Sequence, residues 1–208
     1  MRKTVLIILF VFMSSVLCFA QLEFQLFVGT PFSWEEGNIQ GYRANTQMNS
    51  FSLGFGFTSP INDRLSWCVF DEVILPQKMS ITVGGIESSV DRSNYKSLMG
   101  MSVLIGASYN IYSDAQGKLK IPLTAGLRWM WLMSSTEYIN VFGSNIGASI
   151  GPGIEYNVSN KINIFGRVMM YYDFYSSSSI STGYGSTSIS GSISSFGVTP
   201  NIGVGIKF

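Results

Sequence analysis

Residues 196–208, FGVTPNIGVGIKF, alternate between two kinds of side chain along their whole length. Successive side chains of a β-strand point to opposite faces, so a period of two predicts a strand with two different faces. One face is mostly small or polar, and the other is apolar. The apolar face consists of Phe196, Val198, Pro200, Ile202, Val204, Ile206 and Phe208. Such a strand has to place its apolar face against a protein core or against lipid.

The same alternation recurs in seven earlier segments. They span residues 22–32, 51–57, 65–72, 99–110, 121–131, 146–156 and 162–174. In each segment one face carries mainly Ile, Val, Leu, Met, Phe and Trp, and the other carries mainly Gly, Ser, Thr and Asn. Most of the segments reach the length of about 9 to 11 residues that a tilted strand needs to cross a membrane. We therefore predict eight strands, and we expect their few charged positions to lie on the Gly and Ser face.

The connections between these strands alternate in length. Short turns rich in Asn, Asp, Gly, Pro or Ser lie at residues 59–63, 113–118 and 157–160. Long connections lie at residues 33–47, 72–97, 134–144 and 176–195, and alternation within residues 187–193 predicts a strand extension there. This layout is typical of an all-β, antiparallel up-and-down transmembrane barrel with short periplasmic turns and long external loops. Both chain ends are then expected on the periplasmic side.

The low charge content separates a membrane barrel from a soluble one. Charged residues make up 12% of the chain, about half of the roughly 25% of an average soluble domain. A soluble lipocalin-like ligand carrier is the alternative with the same strand layout, but its outer face would need Lys, Glu and Arg. An outer face of the apolar residues would be a very large exposed patch in water. Facing lipid, it carries no such cost.

The N-terminus has the order of an export signal. Arg2 and Lys3 precede an uncharged apolar run, and small residues follow up to Ala20. We predict a signal peptide at residues 1–20, cleaved after Ala20, and one barrel domain at residues 21–208. The alternatives are a membrane anchor, for which the apolar stretch is at the lower length limit, and a lipoprotein modified at Cys18, which is preceded by Leu17 where such sites prefer a small residue.

Together, the export signal, the eight alternating strands and the ending Val204, Ile206, Phe208 resemble the small outer-membrane barrels of the OmpA, OmpX and OmpW type. The resemblance implies residence in outer-membrane lipid. It also implies that the barrel insertion machinery recognises Val204, Ile206 and Phe208 as an insertion signal. The Ser-rich, uncharged loops resemble those of uncharacterised spirochaete families of such barrels.

Several kinds of function are disfavoured by composition. The chain contains no histidine, so the usual general base of barrel enzymes and the imidazole metal ligand are both missing. We expect no catalytic residue, cofactor or metal, and we interpret Glu23 and Glu155 as partners of Lys207 rather than as a catalytic pair. After cleavage Cys68 has no disulfide partner. The 13 basic and 12 acidic residues are dispersed, which argues against a nucleic-acid partner.

The face opposite the lipid predicts a filled lumen. The strands at odd positions in the predicted order project large side chains into it, and those at even positions project mostly Gly, Ser, Thr and Asn. The large side chains are Phe27, Phe70, Glu72, Arg128, Met130, Phe165, Arg167, Met169 and Tyr171. An eight-stranded barrel is just wide enough for side chains to fill, so large residues can lean over small neighbours and close the pore.

Charged groups in such an interior need partners. Counted from the short turns, Glu72, Arg128 and Arg167 come to similar depths, so we predict that they form a lumenal ion cluster with Asp173. The alternative is that the stagger between strands separates them and that each one pairs with water or with the backbone.

The predicted function is that of a monomeric outer-membrane scaffold or surface-interaction protein, whose external loops offer a site for an extracellular ligand. The alternatives are a narrow OmpW-like channel for small solutes and the soluble carrier.

Overall fold

The computed structural model describes residues 22–39, 42–83, 85–137, 139–182, 185–191 and 194–208. The predicted signal peptide and its cleavage site at Ala20 lie outside these residues, as does Tyr184 in the Ser-rich connection. Within the described part of the chain, no helix is long and apolar enough to cross a membrane.

Strands make up nearly all of the described chain. They are β1 (Glu23–Gly29), β2 (Phe32–Ile39), β3 (Tyr42–Pro60), β4 (Leu65–Val83), β5 (Ile86–Asp91), β6 (Ser97–Ser113), β7 (Leu119–Ser135), β8 (Ile139–Asn157), β9 (Ile162–Thr182), β10 (Gly185–Gly191) and β11 (Ser194–Lys207), with one short 3₁₀ helix at Arg92–Asn94.

Antiparallel pairing closes eight strand positions into a ring. β1 and β2 share one position, since both pair with β3 on one side and β11 on the other, and the ring continues through β4, β6, β7, β8 and β9. β5 pairs with β4 and β10 pairs with β9, both beyond the ring. The predicted eight-stranded antiparallel barrel is confirmed. Its turn end carries the three short turns and both described termini, where the Phe208 N–H donates to the Leu22 carbonyl at 3.0 Å. Its hairpin end carries the long connections.

A break separates β1 from β2 where the sequence predicts one continuous strand. Pro31 has no N–H to give to a ladder. The neighbouring groups still bond across the break: the Thr30 N–H donates to the Pro200 carbonyl at 3.1 Å, and the Ser50 N–H donates to the Pro31 carbonyl at 2.9 Å. The ring therefore stays closed through the interruption.

The strands are strongly staggered. When hydrogen-bonded ladder partners are followed once around the ring from Phe24, the path does not close on Phe24. It ends at Trp34, which lies in the same ring position but nearer the hairpin end. The circuit is Phe24, Phe57, Val69, Ile105, Leu127, Ala148, Tyr172, Phe196 and Trp34. Tilted, staggered strands are what closing a barrel requires.

The outer face is apolar around the ring. We call it the lipid-facing band, the outward residues within 24–34, 51–57, 67–75, 99–109, 121–133, 142–156, 162–174 and 196–206. Leu127 and Ile202 in this band are 65% and 64% exposed. Such exposure of large apolar side chains is unfavourable in water but favourable against acyl chains.

Two sequence predictions are wrong in detail. The segments predicted as long loops are mostly paired hairpin arms, because β3, β4, β8 and β9 continue far past the apolar alternation. Polar residues become frequent along those arms, as in residues 43–50 of β3 and 176–179 of β9, so the hydrophobic pattern weakens while the backbone ladder goes on. The second error concerns charge. Asp71 lies in the lipid-facing band, between Val69 and Val73, whereas every charged strand position was expected on the Gly and Ser face. The predicted apolar face of that strand ends at Val69, so the prediction did not include Asp71.

Candidate functional site: the lumen

Large lumenal side chains lie directly over glycines of neighbouring strands. Phe27 on β1 pairs in register with Gly54 on β3, and a Cβ built at Gly54 would overlap the Phe27 ring. Phe70 on β4 stands in the same way over Gly56, and a Cβ at Gly203 would lie 2.5 Å from Cζ of Phe165. The small residues of one strand therefore make room for the rings of the next.

The three phenylalanines and Arg167 form what we call the aromatic layer, nearer the turn end. The Arg167 guanidinium carbon lies 4.2 Å from the ring centroid of Phe165, 4.3 Å from that of Phe70 and 5.7 Å from that of Phe27. Its Nη2 also donates to Oε1 of Gln25. Ring faces attract a desolvated cation, so this layer combines apolar packing with compensation of a buried charge.

Arg128 and Asp173 form what we call the ion-pair layer, nearer the hairpin end. Arg128 Nη1 donates to both carboxylate oxygens of Asp173 at 3.0 Å, and the two side chains are 5% and 0% exposed. Arg128 Nε donates to Oγ of Ser102 at 3.2 Å. The guanidinium carbon lies 3.8 Å above the Tyr171 ring centroid. A buried charge pair is tolerated when further hydrogen bonds complete it, as they do here.

A β-bulge accompanies Asp173. On β8 the register with β9 shifts between Ile146, which pairs with Tyr175, and Gly147, which pairs with Asp173. Phe174 is the extra residue, and both it and Tyr175 face outward. Bulges commonly re-aim a neighbouring side chain. Gly147 also leaves the space that Asp173 occupies, since a Cβ there would overlap Oδ1 of Asp173.

Glu72 is the fourth residue of the predicted cluster. It faces the lumen and lines a cavity of about 40 Å³ together with Arg128, Arg167 and Asn201. It forms no ion pair with the described residues, and its Oε1 is buried without a hydrogen-bond partner in the protein. The structure therefore joins Arg128 to Asp173 directly and sets Glu72 and Arg167 on the same cavity without a direct bond.

Two residues of the ion-pair layer were missed from the sequence. Asn145 Nδ2 donates to Glu35 Oε1 at 3.3 Å and lies 3.5 Å from Asp173 Oδ2. Glu35 was assigned to a loop, although Phe32, Trp34 and Glu36 continue the outward alternation of the first strand. That continuation was the available signal, because it places Glu35 inward.

The turn end of the lumen holds a separate polar cluster. Lys207 Nζ lies 3.6 Å from a Glu155 oxygen and 4.0 Å from a Glu23 oxygen. Gln25 donates to Glu23 at 2.6 Å, and Asn163 donates to Glu155 at 2.8 Å. The two carboxylates are thus held by amide donors and share one lysine, as their interpretation as Lys207 partners requires.

The interior of the lumen offers little space for a ligand, although its mouth at the turn end holds a cavity of about 440 Å³ lined by Glu23, Lys120 and Lys207. The cavity above the aromatic layer measures about 40 Å³ and the one below it about 80 Å³, whereas sites for organic ligands have typical volumes of about 300 to 1,000 Å³. Among the described residues, no group of three Cys, Asp or Glu side chains is placed to hold a metal ion. The arrangement suits closure of the pore better than binding within it.

The ring, the stagger and the filled lumen define a class, the small eight-stranded barrels of outer-membrane proteins. Solved structures that share this fold include the following three. Neisserial surface protein A (NspA) is 16% identical, with a TM-score of 0.56, and the match covers 90% of this chain and 97% of that one. OprG from Pseudomonas aeruginosa is 12% identical, with a TM-score of 0.58, covering 91% and 96%. The N-terminal barrel domain of OprF from the same organism is 12% identical, with a TM-score of 0.52, covering 91% and 98%.

At these identities the likeness concerns the fold alone. No protein-family model and no curated protein matches the chain. The fold expected from the OmpA, OmpX and OmpW resemblance is confirmed. The three structures do not test the resemblance to spirochaete families, which stays a prediction.

Proposed function

We propose that this chain is a non-conducting outer-membrane barrel that holds its external hairpins for contact with a partner outside the cell. The observation that carries the proposal is the pair of stacked lumenal layers: Arg167 among three phenylalanine rings, and Arg128 bound to Asp173. A solute crossing the barrel would have to displace both. The role is one of scaffold and surface interaction rather than catalysis.

The hairpin end supports the second half of the proposal. β3, β4, β8 and β9 run past the lipid-facing band, and β5 and β10 add a strand to β4 and β9 there. Their backbone hydrogen bonds stiffen these arms, so less conformational entropy is lost when a partner binds. A rigid base with projecting arms is suited to presenting a binding surface.

Export and insertion follow from the sequence features already described. We propose that residues 1–20 direct export and are removed after Ala20. We further propose that Val204, Ile206 and Phe208, on the outer face of β11, are recognised by the insertion machinery, and that the barrel then resides in outer-membrane lipid. The turn end would face the periplasm and the hairpin end the exterior.

A narrow channel is the second candidate, and the two cavities favour it. They lie on either side of the aromatic layer, and both are lined by Arg167 and Phe70. A rearrangement of a few side chains would connect the two cavities into one path.

Conductance in planar lipid bilayers separates the two candidates. The purified, refolded protein is expected to leave the membrane silent, and the double variant Arg128→Ala, Arg167→Ala is expected to open discrete conductance steps because both layers lose their central side chain. Lys118→Ala, in an exposed turn, is the matched control and should stay silent. Reproducible steps in the unmodified protein that Arg128→Ala weakens or enlarges would overturn closure.

A further inference from the structure

Asp71 lies where a charged side chain is most costly. It stands about midway along the lipid-facing band on β4, between Phe55 of β3 and Val103 of β6, its ladder partners. Val69 and Val73 flank it on its own strand. Among the described residues assigned to the lipid-facing band, Asp71 is the single one with a charged side chain.

The neighbours of Asp71 give it nothing to bond. No hydrogen bond or ion pair joins its carboxylate to the described part of the chain, and Phe55, Val69, Val73 and Val103 have no polar side-chain atom to offer. Acyl chains offer none either. An ionisable residue inside a membrane is costly, and for that reason it commonly marks a functional contact.

We propose that Asp71 is the centre of an interface between two copies of this chain, in place of the monomer predicted from the sequence. A protonated carboxyl group is both a donor and an acceptor, so it can pair with an identical carboxyl across a two-fold axis. Such an axis makes an interface in which the same patch is used twice. The surrounding Val69, Val73 and Val103 are compact, which lets two barrel walls approach closely at this point.

A second copy fits better than a basic partner from the same wall. The lipid-facing band of this chain carries no cation in its described residues, so the contact cannot be an Asp71-to-cation pair between copies. Two Asp71 carboxyls meeting at the axis are the arrangement the chain itself can supply. This interface involves no lumenal residue, so it does not depend on whether the barrel conducts.

Association in lipid vesicles tests the proposal. Donor- and acceptor-labelled copies are reconstituted into phosphatidylcholine vesicles, and energy transfer is measured as the protein-to-lipid ratio changes. We expect saturable association of the unmodified chain and at least a ten-fold weaker association of Asp71→Val. Asp71→Asn should still associate, because an amide pair can bond across the same axis. Asp63→Val, in an exposed turn, should behave as the unmodified chain does.

Acidity gives a second readout. The pair needs at least one proton, and no titratable group faces Asp71 from β3 or β6 or stands beside it on the outer face of β4. Association of the unmodified chain is therefore expected to weaken as pH rises, while that of Asp71→Asn stays constant. Asp71→Val replaces a charge on the lipid face with an apolar group, so loss of folding is not an expected complication.

Cross-linking locates the contact. With an added copper–phenanthroline oxidant, Val73→Cys, on β4, is expected to form an intermolecular disulfide, and Val168→Cys, on β9 at the opposite side of the ring, is not. The proposal is overturned if the unmodified chain does not associate, if Asp71→Val associates equally well, or if both cysteines cross-link alike.

Discussion

The two lumenal arginines are compensated in different ways. Arg128 meets a full opposite charge, the Asp173 carboxylate, at 3.0 Å. Arg167 instead lies among phenylalanine rings and donates to the amide oxygen of Gln25. The first arrangement binds two charges to each other, so neither tolerates loss of its partner. The second spreads the compensation over uncharged groups, none of which is left charged when the arginine is removed.

The largest effect is expected from Arg128→Met. The substitution keeps much of the side-chain volume but leaves Asp173 buried without its cation, and breaking a buried pair in this way costs about 3 to 5 kcal/mol. Urea unfolding in lipid vesicles, followed by the heat-dependent gel migration of the barrel, measures the loss in free energy of unfolding.

Removing both charges is the control for this prediction. The double variant Arg128→Met, Asp173→Leu is expected to recover most of the loss, since no charge remains unpaired. If the double variant were as unstable as the single one, packing rather than charge would explain the ion-pair layer.

A smaller effect is expected in the aromatic layer from Gly54→Ala. The added Cβ would overlap the Phe27 ring, and overpacking of this kind typically costs about 1 to 3 kcal/mol. The same unfolding measurement applies. Gly143→Ala is a matched control, because a Cβ there would meet its nearest neighbour, in Leu132, at an ordinary 3.9 Å and should change stability little.

A second substitution distinguishes overlap from a backbone effect. Phe27→Ala removes the ring from above Gly54, so Gly54→Ala should cost less in that background than in the unmodified chain. Equal costs in the two backgrounds would mean that the glycine is required for another reason.

The faces of the strands could be predicted from the sequence because alternation is a local property. It assigned Arg128 and Arg167 to the lumen, as the structure does, and it named Asp173 alongside them. Which residues then meet depends on stagger, a property of the closed ring. Glu72 and Arg167 were placed in one cluster by counting residues from the turns, and the structure sets them on the same cavity without a direct bond.

The omissions have equally specific causes. Glu35 and Asn145 lie where the apolar pattern has faded but the backbone ladder continues, so a pattern-based boundary excludes Glu35 from its strand. The extra residue at Phe174 leaves no mark in the alternation that distinguishes a bulge from an ordinary strand end. Asp71 was overlooked because the predicted apolar face of its strand ended at Val69, one outward position before it.

The smallest effect is expected from Arg167→Met, and it is the most direct test of the comparison between the two arginines. Methionine retains the apolar contact with the phenylalanine rings and leaves no paired carboxylate behind. The substitution loses the hydrogen bond to Gln25 and the attraction between the cation and the rings, but it also removes a charge that is costly to bury, so the expected net cost is about 1 kcal/mol. The measurement is urea unfolding beside Arg128→Met under the same conditions. If the two substitutions cost the same, the charge of Arg167 compensates the Glu72 carboxylate across the shared cavity. Arg167 would then be part of an ion pair, as Arg128 is.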